Sequence, residues 1–124
     1  MTTSLIPEWK ASEAVILAWP HQNTDWAPWL EDVRQIYLSI IRIINANQAG
    51  VLLLCREEDM GDVESQLAAD ARVMLIKADY NDTWARDFAF LSCGNPEAPY
   101  PVEFTFNGWG NKFDASKDNL VNQR

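Results

Sequence analysis

Apolar and polar residues alternate in blocks along the chain, and the block lengths give its first outline. Ala14-Val15-Ile16-Leu17-Ala18-Trp19 is a short apolar run closed by Pro20, which predicts a buried strand. Residues 20–25 read as a turn into a helix, with Thr24 or Asp25 as the cap and Pro28 in the first turn, where a missing N–H does no harm. Trp26, Trp29, Leu30, Val33, Ile36, Tyr37, Ile40, Ile41 and Ile44 then recur at three- and four-residue steps, predicting a helix with one apolar stripe. Glu31, Asp32, Arg34, Gln35 and Arg42 take its other face, and Gly50 is the predicted stop. Residues 51–55 read as a second buried strand. Residues 57–69 read as a weaker helix, with Met60, Val63 and Leu67 inward, and residues 72–77 as a third strand. The order strand, helix, strand, helix, strand predicts an α/β unit with largely parallel strands.

The second half is patterned less regularly. Residues 88–92 continue as a strand, 93–99 form a turn-rich loop, and 101–106 alternate apolar and polar positions as a strand does. Asn107-Gly108-Trp109-Gly110-Asn111 is a glycine-rich loop around one tryptophan. Residues 114–119 look like a further helix start, and the sequence stops about two turns into it. That predicts a single partial domain over residues 1–124, or a tail that frays.

Composition narrows the function classes. A net charge of -8 argues against nucleic acid and anionic membranes as partners, and suits a cationic small molecule. No apolar run approaches the roughly 20 residues of a membrane-spanning helix, and the first residues lack the layout of a signal peptide. Two cysteines make no disulfide framework, so a reduced, cytoplasmic protein is the default. Six tryptophans are the oddity. They serve as core, or, with Asp82 and Asp87 as a carboxylate pair, as a sugar-binding platform.

Candidate chemistry gathers in Asn81-Asp82-Thr83-Trp84-Ala85-Arg86-Asp87-Phe88, a charged cluster between two apolar runs. One reading is a turn with an internal Arg86–aspartate pair. The other is an anionic pocket with an aromatic wall, suited to a planar cation. A carboxylate accepts a guanidinium's forked donors in pairs, and an indole face attracts the charge. His21 reads as a turn or cap residue, Cys55 as a buried, inert thiol, and Cys93 as a loop cysteine with nothing nearby to lower its pKa.

Three stretches taken in order carry a resemblance. Ile16-Leu17-Ala18-Trp19-Pro20-His21, then residues 81–87, then Phe104-Thr105-Phe106-Asn107-Gly108-Trp109-Gly110-Asn111-Lys112 together resemble the N-terminal third of the agmatine deiminase family, related to the bacterial-type peptidylarginine deiminases. The resemblance runs from about Pro7 to Arg124. It implies a pentein, an α/β propeller of ββαβ-type modules, of which this chain would hold about one and a half. It implies hydrolysis of a guanidinium to a ureido group and ammonia, giving N-carbamoylputrescine from agmatine. A cysteine nucleophile, a His-x-Asp pair and two acids do this in the family, with no metal or organic cofactor. Asp87 matches the first guanidinium-binding acid and Trp84 the tryptophan bordering the substrate. Trp109 and Asn107 match a further family element and are candidate pocket-lining residues. The catalytic cysteine and its base match nothing in these residues. Peptidyl-arginine and free arginine are alternative substrates. A non-enzymatic binding or assembly module, including a homo-oligomer, is the alternative of another class.

Overall fold

The computed structural model describes residues 4–7 and 9–123. Residues 1–3, Glu8 and Arg124 lie outside the described residues. Three parallel strands form the centre: β1 (Ala14–Ala18), β2 (Gly50–Cys55) and β3 (Val73–Lys77), in the spatial order β1-β2-β3. The register pairs Ile16 with Leu52 and Leu52 with Met74. Helix α1 (Leu30–Ala46) crosses from β1 to β2, and α2 (Glu57–Gln66) from β2 to β3.

The two-residue period of the strands sorts the core into two layers. Leu17, Val51, Leu53, Val73 and Leu75 pack with Leu38, Ile41 and Ile44 of α1 and Met60 and Val63 of α2. Ile16, Ala18, Leu54 and Ile76 pack on the other layer, with Ala78, Tyr80, Ala85, Phe88 and Val121. This second layer is thin, and Met74 on β3 stays 63% exposed. The α/β reading of the first half holds.

Several boundaries differ from the sequence expectation. The first helix opens as a 3₁₀ turn, Ala27–Trp29, before α1 begins. Its end is set by Gln48 at φ 68°, not by Gly50, which instead starts β2 opposite Ala14. The predicted strand over 88–92 starts later, because Phe88 closes a short helix, α3 (Ala85–Phe88). Strands β4 (Leu91–Asn95) and β5 (Ala98–Val102) form an antiparallel hairpin, so most of the predicted loop over 93–99 is strand. Gly94 makes the hairpin possible. It sits at φ +91°, and a Cβ there would lie 2.6 Å from the Tyr100 ring. Pro99 and Pro101 are two apart, so both nitrogens can face away from β4, as prolines in an edge strand must. Leu5 adds an antiparallel bridge to Cys93 on the same sheet. The predicted helix start at 114 is a 3₁₀ helix further on, Asp118–Gln123.

Candidate functional site

The C-terminal ends of β1, β2 and β3 lie along one edge of the sheet, where loops of α/β folds gather to form sites. The loops here are tied together by buried hydrogen bonds. The Tyr80 hydroxyl donates to Trp19 O at 2.5 Å. Asn23 N–H donates to His21 Nδ1 at 3.1 Å, which leaves the imidazole proton on Nε2 to donate to Tyr80 O at 3.2 Å. Burial first, and the Arg56 guanidinium second, hold the His21 pKa below its ordinary value. His21 is therefore a neutral strut between two loops. That matches its reading as a turn residue. Thr24 caps the same turn, donating to His21 O and accepting from Trp26 N–H.

The candidate residues of the charged cluster stand beside these loops. Trp84 precedes α3 and is half exposed. Asp87 lies on α3 and is exposed, as is Arg86. The sequence reading missed Trp26. Its ring centroid lies 6.4 Å from that of Trp84, and its indole N–H donates to Thr83 Oγ1 at 2.9 Å. Two tryptophans from two loops thus stand side by side here. Asp82 is half-buried, accepting from Thr83 N–H at 2.8 Å, and burial raises its pKa.

Asn107 and Trp109 belong to a different local structure, a turn with positive φ at Gly108, Trp109, Gly110 and Asn111. Asn111 N–H donates to Asn107 O at 2.7 Å and Lys112 N–H to Gly108 O at 3.1 Å, so this is one left-handed helical turn. Gly108 is obligatory there, since a Cβ would meet Phe113 O at 2.0 Å. The Asn107 side chain accepts from Gly110 N–H at 2.9 Å and so stabilises the turn. Trp109 packs edge-on against Phe106 at 4.9 Å and Phe113 at 5.7 Å. Phe106 in turn lies 6.4 Å from Phe88, next to Asp87 in sequence. This aromatic chain is one link between the two motif elements.

The segment carrying Trp84 and Asp87 is held from outside by the 3₁₀ helix Asp118–Gln123. Asp118, 2% exposed, accepts from Asn81 N–H at 2.6 Å and Asp82 N–H at 3.3 Å. The Asn81 side chain returns the bond, accepting from Lys117 N–H and Asp118 N–H. Asn122 donates to Phe88 O and accepts from Phe90 N–H, both at 3.0 Å. Asn119 does the same for both backbone groups of Phe106. The sequence signal for this was the density of Asp and Asn between 114 and 122, residue types that favour bonds to backbone.

Both cysteines are buried. Burial pushes the Cys55 thiol up to about 12. Cys93 sits within β4, not in an exposed loop. Among the described residues no cluster of three or more His, Cys, Asp or Glu could hold a metal ion, and no helix is long and apolar enough to cross a membrane.

A family model described as Porphyromonas-type peptidyl-arginine deiminase matches residues 4–124. The chain belongs to that family. Within this deiminase family it is 27% identical over 123 residues to a Shewanella baltica protein named provisionally as an agmatine deiminase, covering 94% of this chain and 32% of the relative. Among solved structures, a cysteine-to-serine variant of the C. jejuni agmatine deiminase with substrate bound superposes with TM-score 0.84 at 34% identity, over 98% of this chain and 35% of that one. A protein from Porphyromonas gingivalis named provisionally as an arginine deiminase gives TM-score 0.78 at 35% identity, over 99% and 36%. This deiminase-family chain therefore spans about a third of the length of the relatives it matches.

Proposed function

We propose that this chain supplies the guanidinium-holding part of a hydrolase that converts agmatine to N-carbamoylputrescine and ammonia. One observation carries the reading. Trp84 and Asp87, the motif residues of a chain matched to the deiminase family over 4–124, stand exposed together at the C-terminal edge of the sheet. A guanidinium is resonance-stabilised and resists water, so a covalent route that splits one hard step into two gains rate. The cation must then be held flat and in line with the sulfur. Asp87 can accept two of its N–H donors in parallel, and the Trp84 and Trp26 rings can cover it. Arg86 is read as structural, since a cation in the pocket would repel the substrate. Buried Cys55 and Cys93 are poor nucleophiles. The attacking cysteine, its His-x-Asp partners and the second acid are assigned to residues outside these 124. The family description favours peptidyl-arginine as a second substrate reading.

The test is Asp87→Asn in a full-length protein carrying this chain, with ureido product measured from agmatine, arginine and peptidyl-arginine. Loss of the carboxylate charge should remove about 1–3 kcal/mol of binding. Turnover should fall at least about tenfold at nearly constant melting temperature, with agmatine the best substrate of the parent. A variant that melts much lower but keeps normal activity per folded molecule makes Asp87 structural. A parent that prefers peptidyl-arginine establishes the second reading.

A further inference from the structure

We infer that the 3₁₀ helix Asp118–Gln123 is a positioning clamp for the guanidinium site, with Asp118 and Asn122 fixing where Trp84 and Asp87 stand. The inference rests on the function proposed above for those two residues. The segment 81–90 cannot hold its own shape. Its regular structure is the four-residue helix α3, far below the length at which a helix sustains itself, and no side chain caps it. It is instead gripped at both ends. Asp118 holds Asn81 and Asp82 by their N–H groups, and Asn122 holds Phe88 and Phe90 by a carbonyl and an N–H. Trp84 and Asp87 lie between the two grips.

The grip is stiff for an electrostatic reason. Asp118 is buried, and among the described residues no lysine or arginine pairs with it. Its carboxylate is satisfied by the backbone N–H groups of the 81–82 turn. Any movement of that turn uncovers a buried carboxylate, which is costly. The clamp is itself seated, because Val121 is buried in the same cluster as Ala85 and Phe88. Position thus passes from the core, through the 3₁₀ helix, to the carboxylate proposed to face the substrate. Asp118 and Asn122 act through Asp87 and need not touch the substrate themselves. Displacements well under an ångström at a binding carboxylate matter for catalysis.

The test compares Asn122→Ala with Asn45→Ala. Asn45 also bonds backbone with its amide, to Ala49 O and to both backbone groups of Arg72, but at the opposite edge of the sheet. In a full-length protein carrying this chain, both variants should lower the melting temperature similarly. Only Asn122→Ala should lower kcat/KM for the guanidino substrate, by at least about tenfold per folded molecule, against less than about twofold for Asn45→Ala. Asp118→Asn keeps an acceptor oxygen but loses the charge, so its kcat/KM should fall, though less than that of Asp118→Ala. Should Asp118→Ala fail to fold, Asn122→Ala decides, because Asn122 is only partly buried. A second readout does not need activity: amide hydrogen exchange over 84–90 should accelerate in Asn122→Ala while that of β2 stays fixed. Equal kcat/KM losses in Asn122→Ala and Asn45→Ala, or unchanged exchange over 84–90, overturn the clamp. If the parent turns over no guanidino substrate, the proposed function fails, and the exchange measurement alone then decides whether the clamp exists.

Discussion

His21 uses both ring nitrogens in the fold, and this sets how the chain responds to acid. Burial lowers its folded-state pKa beneath the ordinary value of 6.5. Between those two values the unfolded chain binds the extra proton and the folded chain does not. Stability from this group is therefore complete above about 6.5 and declines as the pH falls through the window beneath it. Asp82 and Asp118 act with the opposite sign at lower pH. Burial raises their pKa values above 3.8, so they favour the folded state on the acid side of their window. The melting temperature of the parent should drop from roughly pH 7.5 to pH 5.5, and His21→Gln should flatten that slope. Equal slopes in parent and variant would show that the imidazole is not the titrating strut.

Helix α1 shows what periodicity can and cannot specify. Three- and four-residue spacing predicts a helix, and one forms, but it does not say which edge of a wide apolar face meets the sheet. Val33, Leu38 and Ile41 are buried, whereas Ile36, Ile40 and Ile43 are exposed. The expected stripe counted Trp29, Ile36 and Ile40 inward and overlooked Leu38. Ile41→Ala should cost about 2–5 kcal/mol by chemical denaturation, and Ile40→Ala less than about 1 kcal/mol. A larger loss at Ile40 than at Ile41 would place the packed face wrongly. The same limit explains the rest of the comparison between sequence and structure. Runs such as Val51-Leu52-Leu53-Leu54 are legible because a parallel strand is buried by its own neighbours. The β4–β5 hairpin was shifted in the reading because Gly94 and the prolines look like a loop until Tyr100 is seen packed on the glycine. Within the site, Trp84 and Asp87 were legible because they share one short motif. Trp26, Asp118 and Asn122 were not, because their partners are 32 to 57 residues away in sequence.

At the scale of the molecule, large apolar side chains remain on the surface: Trp29, Ile36 and Ile43 on one side of the first helix, and Phe104 and Phe113 in the second half. The relatives are about three times as long as this chain, and we propose that such surface meets either further parts of a deiminase or a second copy. Catalysis imposes a sharper requirement than packing. The proposed reaction needs a sulfur nucleophile facing the guanidinium carbon, and both cysteines here are buried. Cys55 lies at the end of β2 with its thiol raised by burial, and it donates to Arg56 O at 3.4 Å. Cys93 is 6% exposed on β4, flanked by Tyr100 of β5 and the bridge to Leu5. His21, the one histidine, has no nitrogen left for proton transfer. The 124-residue chain by itself should therefore form no ureido product from agmatine or arginine, although it carries the proposed binding aspartate. Colorimetric detection of the ureido group, with the parent and Cys93→Ala run side by side, checks this. Turnover by the parent that disappears in Cys93→Ala would move the nucleophile into β4 and overturn the division of labour proposed for this chain.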